Sequence, residues 1–305
     1  DGNFPTCPYP NPEIRQVFEC GLEMTKTFPA DLLLATDPDC DRCGIAVRSS
    51  KGDYQLLSGN EVGLLLFDFI CAQRKKHHKM PADPTFVKTI VTTDLAEKIA
   101  DHYGVKTINV LTGFKFIGEK IQQFQDTGDY TFQFGFEESY GFLSSTFVRD
   151  KDGVNASLLV TEVAAACEEE GITLYDRVQQ IFREYGYFVE KVVSTTLPGK
   201  DGLTRMKEIM AGLREHHPAE IGGMKVTAVR DYLKGYRYCG EKSEPTGLPA
   251  SDVLYFELEN GCWVCVRPSG TEPKIKLYVN SNAKEKEEAE RLNSVLCAAS
   301  QELMK

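Results

Sequence analysis

The spacing of apolar positions divides the chain into three stretches. Residues 1–58 begin with a proline-rich connector and continue with a helical period over 13–27. Short apolar runs then predict strands at 31–35, 44–48 and 54–57. This pattern is typical of the end of a mixed α/β domain, and we expect the beginning of that domain to lie outside the sequence.

The second stretch, 59–187, alternates strands and helices that are joined by short links. Helical periods cover 60–74, 94–103, 113–125, 154–170 and 174–185, and apolar runs predict strands at 86–91, 105–110 and 130–134. Such alternation favours a mainly parallel sheet covered by helices. We therefore predict a complete three-layer α/β domain with a mostly parallel sheet.

The third stretch, 188–305, begins with a β-branched strand. A helix, a strand and a long loop rich in glycine and proline follow, and further strands are predicted at 253–258, 262–267 and 274–279. A charged amphipathic helix over 284–304 ends the stretch. This order predicts a C-terminal α+β domain.

Composition excludes two classes of partner. The formal charge is −10, and no dense block of Lys and Arg is present that could neutralise a nucleic-acid backbone. The most basic run, Arg74–Lys79, is interpreted as the solvated end of a helix. No apolar run approaches the roughly 18–20 residues that span a bilayer, and no signal peptide is evident. We expect a cytoplasmic protein with neither nucleic acid nor membrane as a partner.

The ten cysteines are predicted to be free thiols. Two CxxC pairs occur, Cys40/Cys43 and Cys262/Cys265. The second pair lies in a predicted strand, where alternation sends the two side chains to opposite faces. A zinc site is therefore disfavoured.

An acidic loop, DPDCDR, directly follows the first predicted strand. Asp37, Asp39 and Asp41 place three carboxylates at alternate positions, where a tight loop can converge them on one hard cation, and Mg²⁺ is the expected ion. An EF-hand would need Gly and Glu where the chain has Arg42 and Arg48. Because an Arg stands beside the three Asp, we expect metal and phosphate to meet here, although a solvated acidic turn is the alternative.

Four further motifs could belong to a functional site, but each is a less specific indication than the acidic loop. GFEESYG (135–141) follows a strand and could bind vicinal sugar hydroxyls, and RPSGTEP (267–273) joins two strands and could form an anion nest. TGFK (112–115) lies where a strand meets a helix, so backbone N–H groups there could face a ligand. RDKDG (149–153) precedes a helix that Asp152 could cap. Each motif alone could be an ordinary polar turn.

The order of these five motifs resembles the α-D-phosphohexomutase superfamily, in particular its phosphoglucomutase/phosphomannomutase branch. The resemblance covers essentially the whole chain, and DPDCDR and RPSGTEP are its most specific parts. Members have four domains, which carry in turn a phosphoserine loop, a metal loop, a sugar-binding loop and a phosphate-binding loop. The resemblance implies that residues 1–58 end domain II, that 59–187 form domain III and that 188–305 form domain IV.

The resemblance also implies roles for individual residues. Asp37, Asp39 and Asp41 would bind Mg²⁺, and Arg42 and Lys151 would be catalytic, with Lys151 approaching the phosphate or acting in proton transfer. The substrate-binding residues would be Thr112, Gly113, Lys115, Glu137 and Ser139 for the sugar, and Arg267, Ser269, Gly270 and Thr271 for the distal phosphate.

The activity that the resemblance implies is the interconversion of hexose 1-phosphate and hexose 6-phosphate through a phosphoserine and a 1,6-bisphosphate. Glucose 1-phosphate and glucose 6-phosphate are the expected ligands, with mannose phosphates as the alternative. The sequence contains no SHNP-type serine loop, so we expect a C-terminal fragment that has no mutase turnover alone. A non-catalytic sugar-phosphate-binding protein and a metal-dependent phosphatase are the competing hypotheses.

Overall fold

The computed structural model describes residues 2–198, 201–269 and 272–304, which form two compact units, Asp1–Tyr185 and Gly186–Lys305. The helices are α1 (Glu19–Met24), α2 (Gly59–Lys76), α3 (Leu95–Tyr103), α4 (Phe114–Thr127), α5 (Gly153–Glu169), α6 (Leu174–Tyr185), α7 (Gly202–Glu215) and α8 (Lys286–Glu302), with short 3₁₀ helices at Arg15–Phe18 and Glu259–Gly261. Among the described residues, no helix combines the length and hydrophobicity needed to cross a membrane.

The strands divide among three sheets. They are β1 (Leu32–Thr36), β2 (Cys43–Arg48), β3 (Tyr54–Leu57), β4 (Pro84–Thr89), β5 (Lys106–Val110), β6 (Thr131–Glu137), β7 (Gly141–Leu143), β8 (Tyr187–Thr196), β9 (Glu220–Ile221), β10 (Met224–Asp231), β11 (Tyr236–Cys239), β12 (Lys242–Pro245), β13 (Leu254–Leu258), β14 (Trp263–Pro268) and β15 (Lys274–Ala283).

The first sheet of the first unit is a three-stranded antiparallel meander in the order β1-β2-β3. The central strand, β2, is buried along nearly all of its length, as a strand of apolar and small residues should be. Thr36 pairs with Cys43, so the acidic segment between them is the β1–β2 connection. The sheet register therefore holds both ends of the acidic loop.

The second sheet has the order β5-β4-β6-β7, and β4 pairs in parallel with both β5 and β6. All six positions of β4 are buried, as expected for a parallel strand covered on both faces. Phe86 stacks on Phe67 of α2, with ring centroids 4.2 Å apart, and packs against Phe136 of β6 at 5.7 Å. Because β4, β5 and β6 are parallel, the loops that follow them emerge at one edge of the sheet, where open α/β folds bind ligands.

The second unit is built on an antiparallel sheet in the order β12-β11-β10-β13-β14-β15-β8, with β9 paired to β10. Apolar residues of α7 and α8, among them Met210 and Leu296, pack on one face in a core with Phe256, Val264 and Leu277. The turn at 267–273 joins β14 to β15.

The expected fold class is confirmed: mixed α/β, with a parallel sheet under helices and a C-terminal α+β unit. One prediction was wrong. The segment between β10 and β13, predicted as a long loop, contains the β11–β12 hairpin. Its side chains are mostly exposed, so the hairpin has no buried apolar face that the pattern could reveal. Strand β6 also runs on to Glu137, beyond the predicted end at residue 134.

Candidate functional site

The acidic loop forms a compact cluster of oxygen atoms. Carboxylate oxygens of Asp37, Asp39 and Asp41 all lie within 4.8 Å of one another. Asp37 Oδ1 folds the loop by accepting the backbone N–H of Asp41 at 3.1 Å and of Arg42 at 2.9 Å. Burial raises the pKa of Asp37, and the carboxylates of Asp41 and Asp39 raise it further against the opposing hydrogen bond from Arg42. An oxygen-only set in which negative charge is crowded fits Mg²⁺.

Arg42 is held among carboxylates. Its Nη1 lies 3.0 Å from Glu13 Oε1, and its Nε lies 3.5 Å from Asp37 Oδ2 and 3.8 Å from Asp41 Oδ1. The Arg42 side chain is about one-third exposed, at 35%. Arg42 therefore combines a fixed position with access to an incoming anion. Glu13 was missed by the sequence analysis, because it lies in the connector segment with no motif around it.

Lys151 reaches the acidic loop from the segment before α5. Its Nζ lies 2.7 Å from Asp41 Oδ2 and 3.0 Å from Asp150 Oδ1, with only 15% of the side chain exposed. Burial alone would lower the pKa of Lys151, but the hydrogen bonds to Asp41 and Asp150 outweigh burial and raise it. Lys151 is thus a protonated ammonium group beside the carboxylate cluster.

Backbone contacts dock the acidic loop on its neighbours. The N–H of Gly153 donates to Cys40 O at 3.0 Å, and the N–H of Cys43 donates to Tyr140 O at 3.1 Å. A Cβ at Gly153 would lie 2.6 Å from Cys40 O and 2.8 Å from Arg42 O, so this close approach requires glycine. Gly153 belongs to the RDKDG motif, but no function was predicted for it from the sequence.

Asp152 caps α5, as predicted. Its side chain accepts the N–H of Asn155 at 2.8 Å, a typical N-cap geometry. The cap fixes the start of the helix directly after Lys151, so the ammonium group projects from an ordered junction.

The predicted sugar-binding residues lie at the edge of the parallel sheet. Glu137 ends β6 with 6% exposure, and its Oε1 accepts the N–H of Gly113 at 2.7 Å. Gly113, at φ +124°, precedes α4 in a conformation that favours glycine. The hydroxyl of Thr112 is buried and has no hydrogen-bond partner among the described residues. A ligand hydroxyl could supply that partner.

The remaining predicted residues of this unit lie close by. Ser139 is half-buried in the turn between β6 and β7, and Lys115 is exposed on the first turn of α4. Lys151 Nζ lies 5.6 Å from the ring centroid of Phe114, which joins the start of α4 to the acidic loop. The structure thus gathers four motifs of the first unit into one cluster.

The first two residues of the RPSGTEP motif end β14 in the second unit, and Lys274, which follows the motif, begins β15. Arg267 lies opposite Lys276 on the neighbouring strand, and its Nη1 is 3.5 Å from Tyr278 Oη. The N–H of Ser269 donates to Lys274 O at 2.7 Å, which closes the turn. Gly270 and Thr271, also predicted to bind phosphate, lie outside the described residues. Because they are directly opposite on β14 and β15, Arg267 and Lys276 place two cations on one face of the sheet, as an anion site would need.

Family models match most of the chain. Residues 1–52 match the model "Phosphoglucomutase/phosphomannomutase, alpha/beta/alpha domain II", residues 58–185 match alpha/beta/alpha domain III of the same family, and residues 218–298 match its C-terminal domain.

Known proteins agree with these matches. The phosphoglucomutase of Staphylococcus aureus strain MSSA476 is 37% identical over 300 residues, which are 97% of this chain and 53% of that protein. The phosphoglucomutase of strain USA300 is 38% identical over 283 residues, 92% of this chain and 50% of that protein. The chain therefore spans about half the length of the curated relatives it matches.

Solved structures show the same fold. The open form of a Paramecium parafusin, a phosphoglucomutase, superimposes with a TM-score of 0.65 at 18% identity, over 90% of this chain and 45% of that one. A phosphoglucomutase/phosphomannomutase family protein from Burkholderia thailandensis superimposes with a TM-score of 0.61 at 15% identity, over 99% of this chain and 53% of that one.

Proposed function

Because the chain belongs to the phosphoglucomutase/phosphomannomutase family, we propose that it supplies the metal-, sugar- and phosphate-binding parts of a phosphohexomutase, an isomerase of hexose phosphates. The observation that carries the proposal is the clustering of four separate motifs in the first unit. Its two closest links are the ion pair of Lys151 with Asp41 and the hydrogen bond of Gly113 with Glu137.

The acidic loop is the proposed metal site. Asp37, Asp39 and Asp41 would hold Mg²⁺, which when bound would offset negative charge on the transferring phosphoryl group. Arg42, fixed by Glu13 and the loop carboxylates, is placed to take a phosphate oxygen.

Lys151 would work as a cation and hydrogen-bond donor. Its raised pKa means that Nζ carries a proton near neutral pH, so it can donate to a phosphate oxygen or to the leaving hydroxyl oxygen. In this structure the Lys151 ammonium group forms an ion pair with Asp41, and a bound phosphate would compete with Asp41 for it.

Recognition of the hexose phosphate is assigned to both units. Glu137, Ser139, Thr112, Gly113 and Lys115 would bind the sugar. The distal phosphate would be held by Arg267 and Ser269, together with Gly270 and Thr271. Holding the sugar and the distal phosphate would position the reacting oxygen for transfer.

Glucose 1-phosphate and glucose 6-phosphate are the proposed substrates, with mannose phosphates as the alternative. Because the 305 residues contain no SHNP-type serine loop, we propose that this chain alone does not interconvert them. Conversion of glucose 1-phosphate to glucose 6-phosphate by the purified chain would contradict this.

Binding can be tested without turnover. Calorimetric titration with glucose 1,6-bisphosphate should show affinity that Arg267→Ala reduces at least about tenfold, since hydrogen bonds to charged groups contribute roughly 1.5–3 kcal/mol. Arg291→Ala is the control, because Arg291 is an exposed residue of α8 paired with Glu288. Equal affinities of wild type and Arg267→Ala would refute the assigned role of the turn.

A further inference from the structure

Glu138 stands between the two residues proposed to bind the sugar, but its own side chain faces protein. Its Oε2 lies 3.4 Å from the hydroxyl oxygens of both Thr89 and Thr92. Both threonines are completely buried, and their hydroxyls are 2.8 Å apart. The carboxylate therefore closes a small buried network at the end of β4.

The two threonine hydroxyls need a hydrogen-bond acceptor besides each other. Two hydroxyls have two protons, and one is used between Thr89 and Thr92. The second proton needs an acceptor, and Glu138 Oε2 can take it from either hydroxyl. The carbonyl oxygen of Phe136 is 3.5 Å from Thr92 Oγ1, only slightly farther than the 3.4 Å contacts of Glu138, but the carboxylate can accept from either hydroxyl and carries a full negative charge. Without Glu138, a buried donor would be poorly satisfied.

A buried lysine of β4 holds the segment that carries Thr92. Lys88, only 1% exposed, donates from Nζ to Thr92 O at 3.0 Å. The same ammonium lies 2.8 Å from Asp94 Oδ1 and 3.2 Å from Glu97 Oε1 at the start of α3. Glu138 thus meets a partner that is anchored in the sheet and in the following helix.

The turn that carries Glu138 needs such an anchor. Tyr140, the next residue but one, has φ +65°, which is unfavourable for a bulky side chain. A Cβ at Gly59 would lie 2.1 Å from Glu138 O, so the start of α2 packs directly on the turn. Glu137 ties the turn to Gly113 after β5, and Glu138 ties it to the loop after β4.

We propose that Glu138 is a positioning residue. Together with Thr89 and Thr92 it fixes the position of the turn, and so of Glu137 and Ser139, for sugar binding. The inference rests on the proposed function. The contacts of the two glutamates support it, since Glu137 Oε1 accepts the N–H of Gly113 while Glu138 Oε2 meets the hydroxyls of Thr89 and Thr92. Glu138 acts through the turn and does not touch the sugar.

The effect of Glu138 should be specific to the sugar part of a ligand. We therefore compare glucose 6-phosphate with glycerol 3-phosphate, a phosphate monoester that lacks the ring. Loss of the network should lower the affinity for glucose 6-phosphate about three- to tenfold, the range that one ordinary hydrogen bond contributes. The affinity for glycerol 3-phosphate should not change.

The test uses variants of the 305-residue chain and two measurements. Calorimetry gives affinities for both ligands, and amide hydrogen exchange of residues 137–141 reports on the turn without any ligand. The variants are Glu138→Ala, Glu138→Gln, Thr92→Val and the double variant Glu138→Ala/Thr92→Val. Glu170→Ala is the control, because Glu170 is an exposed carboxylate at the end of α5 that pairs with Arg177.

Glu138→Ala and Thr92→Val should each lower the affinity for glucose 6-phosphate and speed exchange of the turn. Their effects should not add in the double variant, because both remove the same network. Glu138→Gln should keep most of the affinity, since its amide oxygen accepts the same bond. Glu170→Ala should resemble wild type.

Two results would overturn the proposal in different ways. If wild type prefers glucose 6-phosphate and Glu138→Ala matches it in both affinity and exchange, the network has no positioning role. If wild type shows no preference over glycerol 3-phosphate, the proposed function fails, and the role of Glu138 in sugar binding fails with it.

Discussion

Lys151 Nζ lies 2.7 Å from Asp41 Oδ2, so an ammonium group occupies part of the proposed metal site. A divalent cation bound by Asp41 would have to displace or share that ion pair, because both cations would use the Asp41 carboxylate.

Replacing Lys151 by Met should therefore raise the affinity of the chain for Mg²⁺ several-fold. The change removes the competing positive charge and leaves the carboxylates in place. Isothermal titration of Mg²⁺ into wild type and variant measures the difference. Lys115→Met is the matched control, since Lys115 Nζ lies over the ring of Phe116, 4.9 Å from its centroid. Weaker binding by Lys151→Met would show that the ammonium group organises the loop instead of competing with the metal.

Replacing Thr112 should change ligand affinity without lowering the stability of the fold. Because its buried hydroxyl has no hydrogen-bond partner among the described residues, Thr112→Val should leave the free energy of unfolding unchanged or raise it by up to about 1 kcal/mol. The affinity for glucose 6-phosphate should fall about three- to tenfold if that hydroxyl meets the ligand. Urea unfolding and calorimetry on the same samples provide both values, and a stability loss above about 1 kcal/mol would point to a structural role.

Gly153 and Gly212 should respond oppositely to alanine. A Cβ at Gly153 meets two backbone carbonyl oxygens of the acidic loop, so Gly153→Ala should cost roughly 1–3 kcal/mol and weaken Mg²⁺ binding. Gly212 lies inside α7 with nothing within 4 Å of its Cβ position, so Gly212→Ala should stabilise by about 0.5–1 kcal/mol. Urea unfolding and Mg²⁺ titration of both variants check this. Unchanged metal affinity in Gly153→Ala would show that the loop tolerates a shift.

Asp68 should make stability depend on pH. Burial raises its pKa above the ordinary value of 3.8, against the hydrogen bond from Tyr103 Oη at 3.1 Å and the charges of Arg177 and His102. Between 3.8 and the raised pKa, the folded chain keeps a proton that the unfolded chain has lost. Stability conferred by protonated Asp68 is therefore lost as pH rises through that window.

The variant Asp68→Asn removes this loss, because its amide oxygen still accepts from Tyr103 and carries no charge. Relative to wild type it should gain stability as pH rises from 4 to 7, because only the wild type loses the stability that protonated Asp68 confers. Urea unfolding at both pH values measures the gain. Asp129→Asn, at an exposed loop residue, should show no such trend. A constant difference at both pH values would mean that folding does not raise the pKa of Asp68.

Local patterns were enough to predict the elements that carry the site. The acidic residues follow a strand and precede another, so the β1–β2 loop could be located from sequence. The capping role of Asp152 likewise depends on residues within three positions. The β11–β12 hairpin was missed because its exposed side chains leave no apolar period.

Contacts between distant segments could not be predicted in this way. The pairing of Glu13 with Arg42 and the approach of Gly153 to Cys40 depend on how the connector and α5 pack on the meander. No spacing rule links residues that are far apart in the chain. The buried network of Glu138 with Thr89 and Thr92 belongs to the same class, since it exists only where β4 and β6 lie side by side.

The pairing of β8 with β15 has a consequence for folding. It joins Tyr187 to Ala283 and Thr196 to Lys274, segments that are synthesised far apart in time. Such non-local pairing slows folding, because a long loop must close before the contacts form. During synthesis, β8 would remain unpaired until β15 had been made, and its free edges could pair with other chains and aggregate. Arg267 lies at the end of β14, on the strand that pairs with β15, so the proposed phosphate-binding end of the second unit should be among the last parts to become ordered.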